Sequence, residues 1–241
     1  MTDTYKVIIV EGLIGAGKSD FSAMLGSALD DVSPNPTCLV LNEPDERQGA
    51  NPYLTDYYAD QARYAFTMQA HLLQARFRMH LQAQWHVMQG IGHAVLDRSY
   101  FGDVCFARLQ VRDGHMDERE FATYASLYEA MTCFVRLPTV CVRLLVSPAV
   151  ANDRIRRRAE VREGRRSELG SPEGYLVRLD EEIGKMVDEL RLGGVQIYEF
   201  AWDEDRPADE TRFRAVLALA ERIHHLRPPD PFLALHRRVF P

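Results

Sequence analysis

An α/β fold, with a five-stranded and mainly parallel sheet flanked by helices, is predicted from three observations. Short apolar runs rich in β-branched residues recur along the 241-residue chain, helical stretches alternate with them, and turn residues mark each change. The first run, Lys6 to Val10, is bounded by Glu11-Gly12 and reads as a buried parallel strand. Between Lys18 and Leu29, Phe21, Met24, Leu25 and Ala28 recur at helical spacing, and Ser33-Pro-Asn-Pro36 makes a loop. Cys38 to Leu41 is a second strand that stops at Asn42-Glu43-Pro44. From about Asp60 to Gln89 there is neither Gly nor Pro, and helix formers dominate, which predicts one long helix.

Ala94 to Leu96 is a third strand, ending at Asp97-Arg98-Ser99. Helices are expected near Tyr100–Val111 and Asp117–Arg136, on either side of a turn at Asp113-Gly114. Val140–Val146 is a fourth strand, and Ser147-Pro148 starts a helix with Pro at its first position. The charge-dense stretch Arg154–Gly170 begins helical and then loosens. A helix over Pro172–Leu190, a stop at Gly193-Gly194, a fifth strand over Val195–Phe200 and a helix over Ala208–Leu226 complete the pattern. The tail Arg227–Pro241 is Pro-rich and receives no structure. With no linker and no internal repeat, residues 1–241 read as a single domain.

Composition narrows the function classes. The formal charge is −6, from 29 basic and 35 acidic side chains, so a general nucleic-acid binder, which needs a basic face, is not expected. No run approaches the ~20 apolar residues of a membrane span, and no secretory signal is visible at the N-terminus. The four cysteines (Cys38, Cys105, Cys133, Cys141) are scattered, which suggests buried, reduced thiols and a cytoplasmic protein. Charge is concentrated in one place. Residues 154–166 hold seven arginines against two glutamates, or +5, which leaves −11 elsewhere. Such a segment suits a small polyanion better than a DNA duplex.

Gly12-Leu-Ile-Gly15-Ala16-Gly17-Lys18-Ser19 fits G-x-x-x-x-G-K-[ST] directly after a strand and at the start of a helix. Glycines let successive backbone N–H groups point inward, and the helix N-terminus adds positive potential for phosphate. Lys18 is placed to reach the β- and γ-phosphates, and the Ser19 hydroxyl to ligate Mg²⁺. The chain therefore reads as a nucleoside triphosphate binder. Two acids end parallel strands, where ligands bind in open α/β sheets: Glu43 as candidate general base and Asp97 as second Mg²⁺ anchor. Arg98 stands beside Asp97 to steady charge on a transferring phosphoryl group.

These residues, in order, make the chain resemble the deoxynucleoside kinases, particularly the bacterial deoxyadenosine/deoxyguanosine branch, over about residues 5–200. The motifs are residues 12–19, Glu43-Pro44, Phe66-Thr-Met-Gln69 with Arg76, Asp97-Arg98-Ser99 with Asp103 and Phe106-Ala107, and Arg154 to Arg158. The resemblance implies a P-loop kinase using ATP or another nucleoside triphosphate, with Mg²⁺, to phosphorylate the 5′-hydroxyl of a deoxynucleoside. Glu43 would take the hydroxyl proton, and Gln69 would meet the base edge. Arg76 and Asp103 would form a charged pair over the base, a pairing that favours deoxyadenosine, deoxyguanosine or deoxycytidine over thymidine. Tyr58 and Glu163 would serve the 3′-hydroxyl. Arg154 and Arg158, one turn apart, would close on the phosphates from an arginine-rich lid at about 154–170.

Two stretches depart from the family pattern. Glu160 stands where a further lid arginine is expected and Arg162 where an acid is common, while Asp45-Glu46-Arg47 replaces an apolar, Trp-containing segment. The alternative reading is a nucleoside monophosphate kinase resembling thymidylate kinase, or a kinase for a modified nucleotide or a nucleoside within DNA. A homodimer is compatible with the resemblance, although the sequence shows no interface.

Overall fold

The computed structural model describes residues 5–34, 36–43, 51–133, 135–161, 174–203 and 210–227. Five strands form one sheet: β1 (Val7–Glu11), β2 (Leu39–Leu41), β3 (Ala94–Asp97), β4 (Val140–Leu145) and β5 (Gln196–Ala201). Their order is β2-β3-β1-β4-β5, and every pairing is parallel. Eight helices are described: α1 (Lys18–Val32), α2 (Leu54–Ala59), α3 (Gln61–Met88), α4 (Tyr100–Arg112), α5 (Glu118–Thr132), α6 (Pro148–Val161), α7 (Tyr175–Leu192) and α8 (Glu210–His224).

Consecutive residues of a strand face opposite sides of the sheet, so the unbroken burial of β1 and β3 requires cover on both faces. α1 packs on α8, while α3 packs on α4 and α4 on α7. The register pairs Val10 with Asp97 on one side of β1 and Val142 on the other. β1 thus lies between the strands that follow it on either side, and its carboxyl end opens on the crevice where such folds bind ligands.

The helix starts follow local chemistry. Asp117 and Glu120 form a reciprocal capping box on α5, and Ser99 caps α4. Pro148 takes the first position of α6, with the Val150 N–H donating to Ser147 Oγ at 3.4 Å. The expected long helix is present as α3. The six-residue α2 ahead of it was not expected, because so short an element offers too few residues for a period to register. It seats Tyr57 and Tyr58 in a second apolar cluster with Ala65, Met68, Leu72 and Met116.

One expectation needs correcting. Cys38, Cys105 and Cys141 are at least partly buried, but Cys133 is exposed just past the last turn of α5. Among the described residues, no helix is long and apolar enough to cross a membrane. Pro44–Ala50, the segment from Arg162 to 173 that includes Glu163, and the tail from 228 lie outside the described residues.

Candidate active site

The phosphate loop connects β1 to α1. Gly15 has φ +79°, and a Cβ there would stand 2.4 Å from the Ala151 carbonyl oxygen, so only glycine fits between the loop and α6. Lys18 is buried at the start of α1, and its Nζ donates to the Leu13 carbonyl at 2.9 Å, across the loop. Burial lowers its pKa to about 8, helped by Arg98 and opposed by Asp97, Glu43 and Glu11. Ser19 Oγ donates to Asp97 Oδ2 at 2.5 Å. Asp97 Oδ1 is buried with no hydrogen-bond partner among the described residues. Burial pushes this carboxyl up, against Lys18, which favours the charged form. A hydroxyl and a carboxylate with a spare oxygen suit Mg²⁺, which usually takes one or two protein groups and completes its shell with phosphate oxygens and water.

Arg154, on the inner face of α6, closes the far side of the loop. It donates to the carbonyls of Ala16 (3.2 Å), Trp202 (2.8 Å) and Asp203 (3.2 Å). Arg158 is half-buried one turn on, whereas Arg156 and Arg157 face outward. The charge-dense helix therefore divides into an inward arginine pair and an outward one. Trp202, which the sequence did not single out, lies 3.1 Å from where a Cβ on Gly17 would be, and Arg212 stands over its ring at 4.2 Å.

The second half of the site is an ionic network around Glu43, just past the end of β2. Arg76 bonds Glu43 through Nη2 and Asp103 through Nη1, so one guanidinium joins the two acids. Arg98 Nε also donates to the Glu43 carboxylate, at 3.2 Å. The guanidinium carbons of Arg98 and Arg76 lie 4.8 and 5.7 Å from the centre of the Phe106 ring. Burial alone would raise the Glu43 pKa, but Arg98, Arg76 and Lys18 together hold it well below the usual carboxylate range. Its side chain keeps 29% of its exposure, which leaves it reachable from the crevice.

Gln69 and Arg76 are seven residues apart on α3 and share a face, as two helical turns require. Both reach Asp103, in the first turn of α4. Gln69 Nε2 donates to the Asp103 carbonyl (3.2 Å) and to Oδ2 (3.1 Å). Tyr124, on α5, donates its hydroxyl to the same Oδ2 at 2.6 Å. Burial pushes the Asp103 carboxyl up, while Arg76 and Tyr124 favour its charged form. Tyr124 was missed because a buried tyrosine on a helix gives no local sign of its partner. Of the adjacent tyrosines, Tyr57 accepts from Gln110 Nε2 in the core, and Tyr58 is partly buried beside it with ring centres 5.2 Å apart. The sequence-predicted residues Lys18, Ser19, Glu43, Gln69, Arg76, Asp97, Arg98 and Asp103 are thus brought together, and Glu163 lies outside the described residues.

A phosphate loop beside a strand-end carboxylate held by two arginines, on a parallel sheet flanked by helices, marks the chain as an α/β nucleotide-binding protein. The profile of the deoxynucleoside kinase family matches residues 8–221, and the chain belongs to that family. A deoxyadenosine/deoxycytidine kinase of Bacillus subtilis is 32% identical over 170 residues, covering 70% of each chain. A deoxyadenosine kinase and a deoxyguanosine kinase of Dictyostelium discoideum are 35% and 30% identical over 63% and 82% of this chain. Those matches span 56% and 64% of the Dictyostelium proteins' own lengths. In fold, the chain is similar to a deoxyadenosine kinase from M. mycoides solved with bound dATP. That likeness has a TM-score of 0.67 at 23% identity and covers 89% of this chain and 98% of the other.

Proposed function

We propose that this chain transfers the terminal phosphoryl group of ATP, or of another nucleoside triphosphate, to the 5′-hydroxyl of a deoxynucleoside. The carrying observation is the single network in which Arg76 joins Glu43 to Asp103 while Arg98 joins Glu43 to the phosphate side. Glu43 is charged in this setting and accepts the hydroxyl proton as the oxygen attacks the γ-phosphorus. The new O–P bond forms, the bond to the nucleoside diphosphate breaks, and the diphosphate leaves. Lys18 and Arg98 balance the charge that spreads over the phosphoryl oxygens. Mg²⁺, when bound, neutralises the β- and γ-phosphates, and Ser19 Oγ and Asp97 would hold it. Arg154 and Arg158 serve the phosphates from the lid.

The base edge meets Gln69. Its amide nitrogen is engaged by two acceptor atoms of Asp103, which leaves Oε1 to accept from the base. That oxygen can take an exocyclic amino group of deoxyadenosine, deoxyguanosine or deoxycytidine, and the preference for these over thymidine rests on the Arg76–Asp103 pair over the base. Relatives named as deoxyadenosine, deoxyguanosine and deoxyadenosine/deoxycytidine kinases support the same choice. Tyr58 and Glu163 serve the 3′-hydroxyl. Residues 1–241 act as one domain in the cytoplasm, without duplex nucleic acid or membrane as partner.

A homodimer is supported by the exposed stripe Leu81, Trp85 and Met88 on α3. Light scattering on Trp85→Glu should read one chain mass where the unaltered protein reads two; equal masses contradict the pairing. The test of the chemistry is Glu43→Gln. It should still bind ATP in a calorimeter while losing most turnover, and near-normal turnover contradicts the base assignment.

A further inference from the structure

Glu11 ends β1 immediately ahead of the phosphate loop, and its side chain is completely buried. None of the roles above uses it. Its Oε1 accepts twice from one residue: from the Ser99 backbone N–H at 2.8 Å and from the Ser99 hydroxyl at 2.5 Å. Ser99 Oγ in turn accepts from the N–H groups of Phe101 (3.1 Å) and Gly102 (3.4 Å), the first turn of α4. One carboxylate oxygen therefore anchors both the turn after β3 and the start of the helix that carries Asp103.

The turn needs an anchor. The parallel ladder between β1 and β3 ends at Val10 and Asp97, and the Arg98 N–H makes the last backbone bond, to the Val10 carbonyl at 3.0 Å. Arg98 then adopts φ +70°, the single described non-glycine residue with positive φ. A side-chain-bearing residue is disfavoured in the left-handed region and stays there only when its surroundings over-determine it. Glu11 supplies that constraint. Where the backbone ladder stops, its side chain takes the next N–H in line, that of Ser99. The opposite wall is shaped to match: a Cβ on Gly102 would stand 2.5 Å from Glu11 Oε2, so a glycine there makes room for the carboxylate. The bonded turn aims Arg98 Nε at Glu43 and buries Nη1 with no partner among the described residues.

We infer that Glu11 is a positioning residue, which holds the left-handed turn at Arg98 through its two bonds to Ser99 and so places the Arg98 guanidinium for phosphoryl transfer. The inference rests on the role given to Arg98 under the proposed function. Because it acts through hydrogen bonds to an oxygen, glutamine should replace it and alanine should not. The phosphate loop is held by its own glycines and Lys18, so triphosphate binding should be spared.

The test is a double-mutant cycle read as kcat and as the KM for ATP. Glu11→Ala should lower kcat about 30-fold with the KM for ATP within about 3-fold, and Glu11→Gln should recover kcat to within about 5-fold of the unaltered enzyme. In an Arg98→Ala background, Glu11→Ala should cost less than about 3-fold more, because the group it positions is already gone. Losses that multiply across the two substitutions overturn the inference while leaving the Arg98 role intact, and so does a glutamine variant as impaired as alanine. Near-normal turnover of Arg98→Ala itself overturns both. If Glu11→Ala does not fold, the cycle is run with Glu11→Asp, which draws the carboxylate back from Ser99 by one methylene and leaves the Ser99 cap of α4 in place. Its kcat loss, at least about 3-fold, should vanish on the Arg98→Ala background. An equal loss on both backgrounds overturns the inference.

Discussion

The two ends of the sheet both bury charge-bearing groups, and they do so differently. At the carboxyl end of the strands, Glu43, Arg76, Asp103 and Arg98 are joined by ion pairs, yet buried polar atoms are left over: Asp97 Oδ1, Arg98 Nη1 and Arg76 Nε have no partner among the described residues. At the amino end, the Lys6 N–H donates to His93 Nδ1 at 3.1 Å, which leaves His93 Nε2 to donate to His224 Nδ1 at 3.1 Å. Lys6 Nζ donates to the His224 carbonyl at 2.7 Å. That second cluster clamps α8 against the sheet, and both ring nitrogens of His93 are satisfied. Spare hydrogen-bonding capacity at one end and closure at the other separate a site built to receive a ligand from one built to hold the fold.

Substitutions at the carboxyl end should break function ahead of fold. Glu43→Gln should reduce kcat by about 10³-fold, the span of a positioned general base, and lower the melting temperature only modestly, since glutamine keeps an oxygen for Arg76 and Arg98. Steady-state kinetics and calorimetric melting on one preparation check both halves. Asp103→Ala tests the exception, because it removes a fully buried carboxylate and leaves Arg76 Nη1, Gln69 Nε2 and the Tyr124 hydroxyl without that acceptor, whereas Glu43→Gln keeps an oxygen for its arginines. Asp103→Ala should cost about 3 kcal/mol in urea unfolding and raise the KM for the nucleoside.

The amino end should behave the other way round. Burial, with the nearby charges of Lys6 and His224, lowers the His93 pKa to about 3. Its folded value lies below that of the unfolded chain, so the stability it contributes is full above about pH 6.5 and is lost as pH falls towards 3. By pH 5 the loss is about 2 kcal/mol. His80, lowered to about 4 by burial, adds a loss of the same sign. His93→Phe should be less stable at pH 7, since the Lys6 N–H loses its acceptor, yet its stability should fall less steeply between pH 7 and 5. Its kcat should be unchanged. Urea unfolding across that range, beside kinetics at pH 7, reads all three.

The smallest effect returns to the phosphate side. Lys18, with a pKa of about 8 before ligand binds, is cationic below that pH and neutral above it. Triphosphate should therefore bind with proton uptake above pH 8 and weaken by up to about tenfold per pH unit there. Calorimetry in buffers of different ionisation enthalpy measures the uptake. Proton release would contradict the assignment.

How much of this was legible depended on how local each interaction is. The phosphate loop, the strand-end positions of Glu43 and Asp97 and the shared face of Gln69 and Arg76 follow from spacing, since period and strand limits fix where a side chain points. The strand order does not, because β3 and β4 flank β1 through pairings that short apolar runs leave unspecified. Glu11 read only as the residue that bounds a strand, and its bond to Ser99 spans 88 positions. Tyr124 and Trp202 also enter the site through contacts that no sequence period announces. Arg76 was legible as a residue over the base, but its bond to Glu43 was not, since it joins α3 to the segment after β2.

The most direct test of the central claim is ADP release from ATP over the four common deoxynucleosides and their 5′-monophosphates. The network around Glu43 predicts release with deoxyadenosine, deoxyguanosine or deoxycytidine, weaker release with thymidine, and loss of that release in Glu43→Gln. Release confined to the monophosphates, or release unchanged by Glu43→Gln, would contradict it.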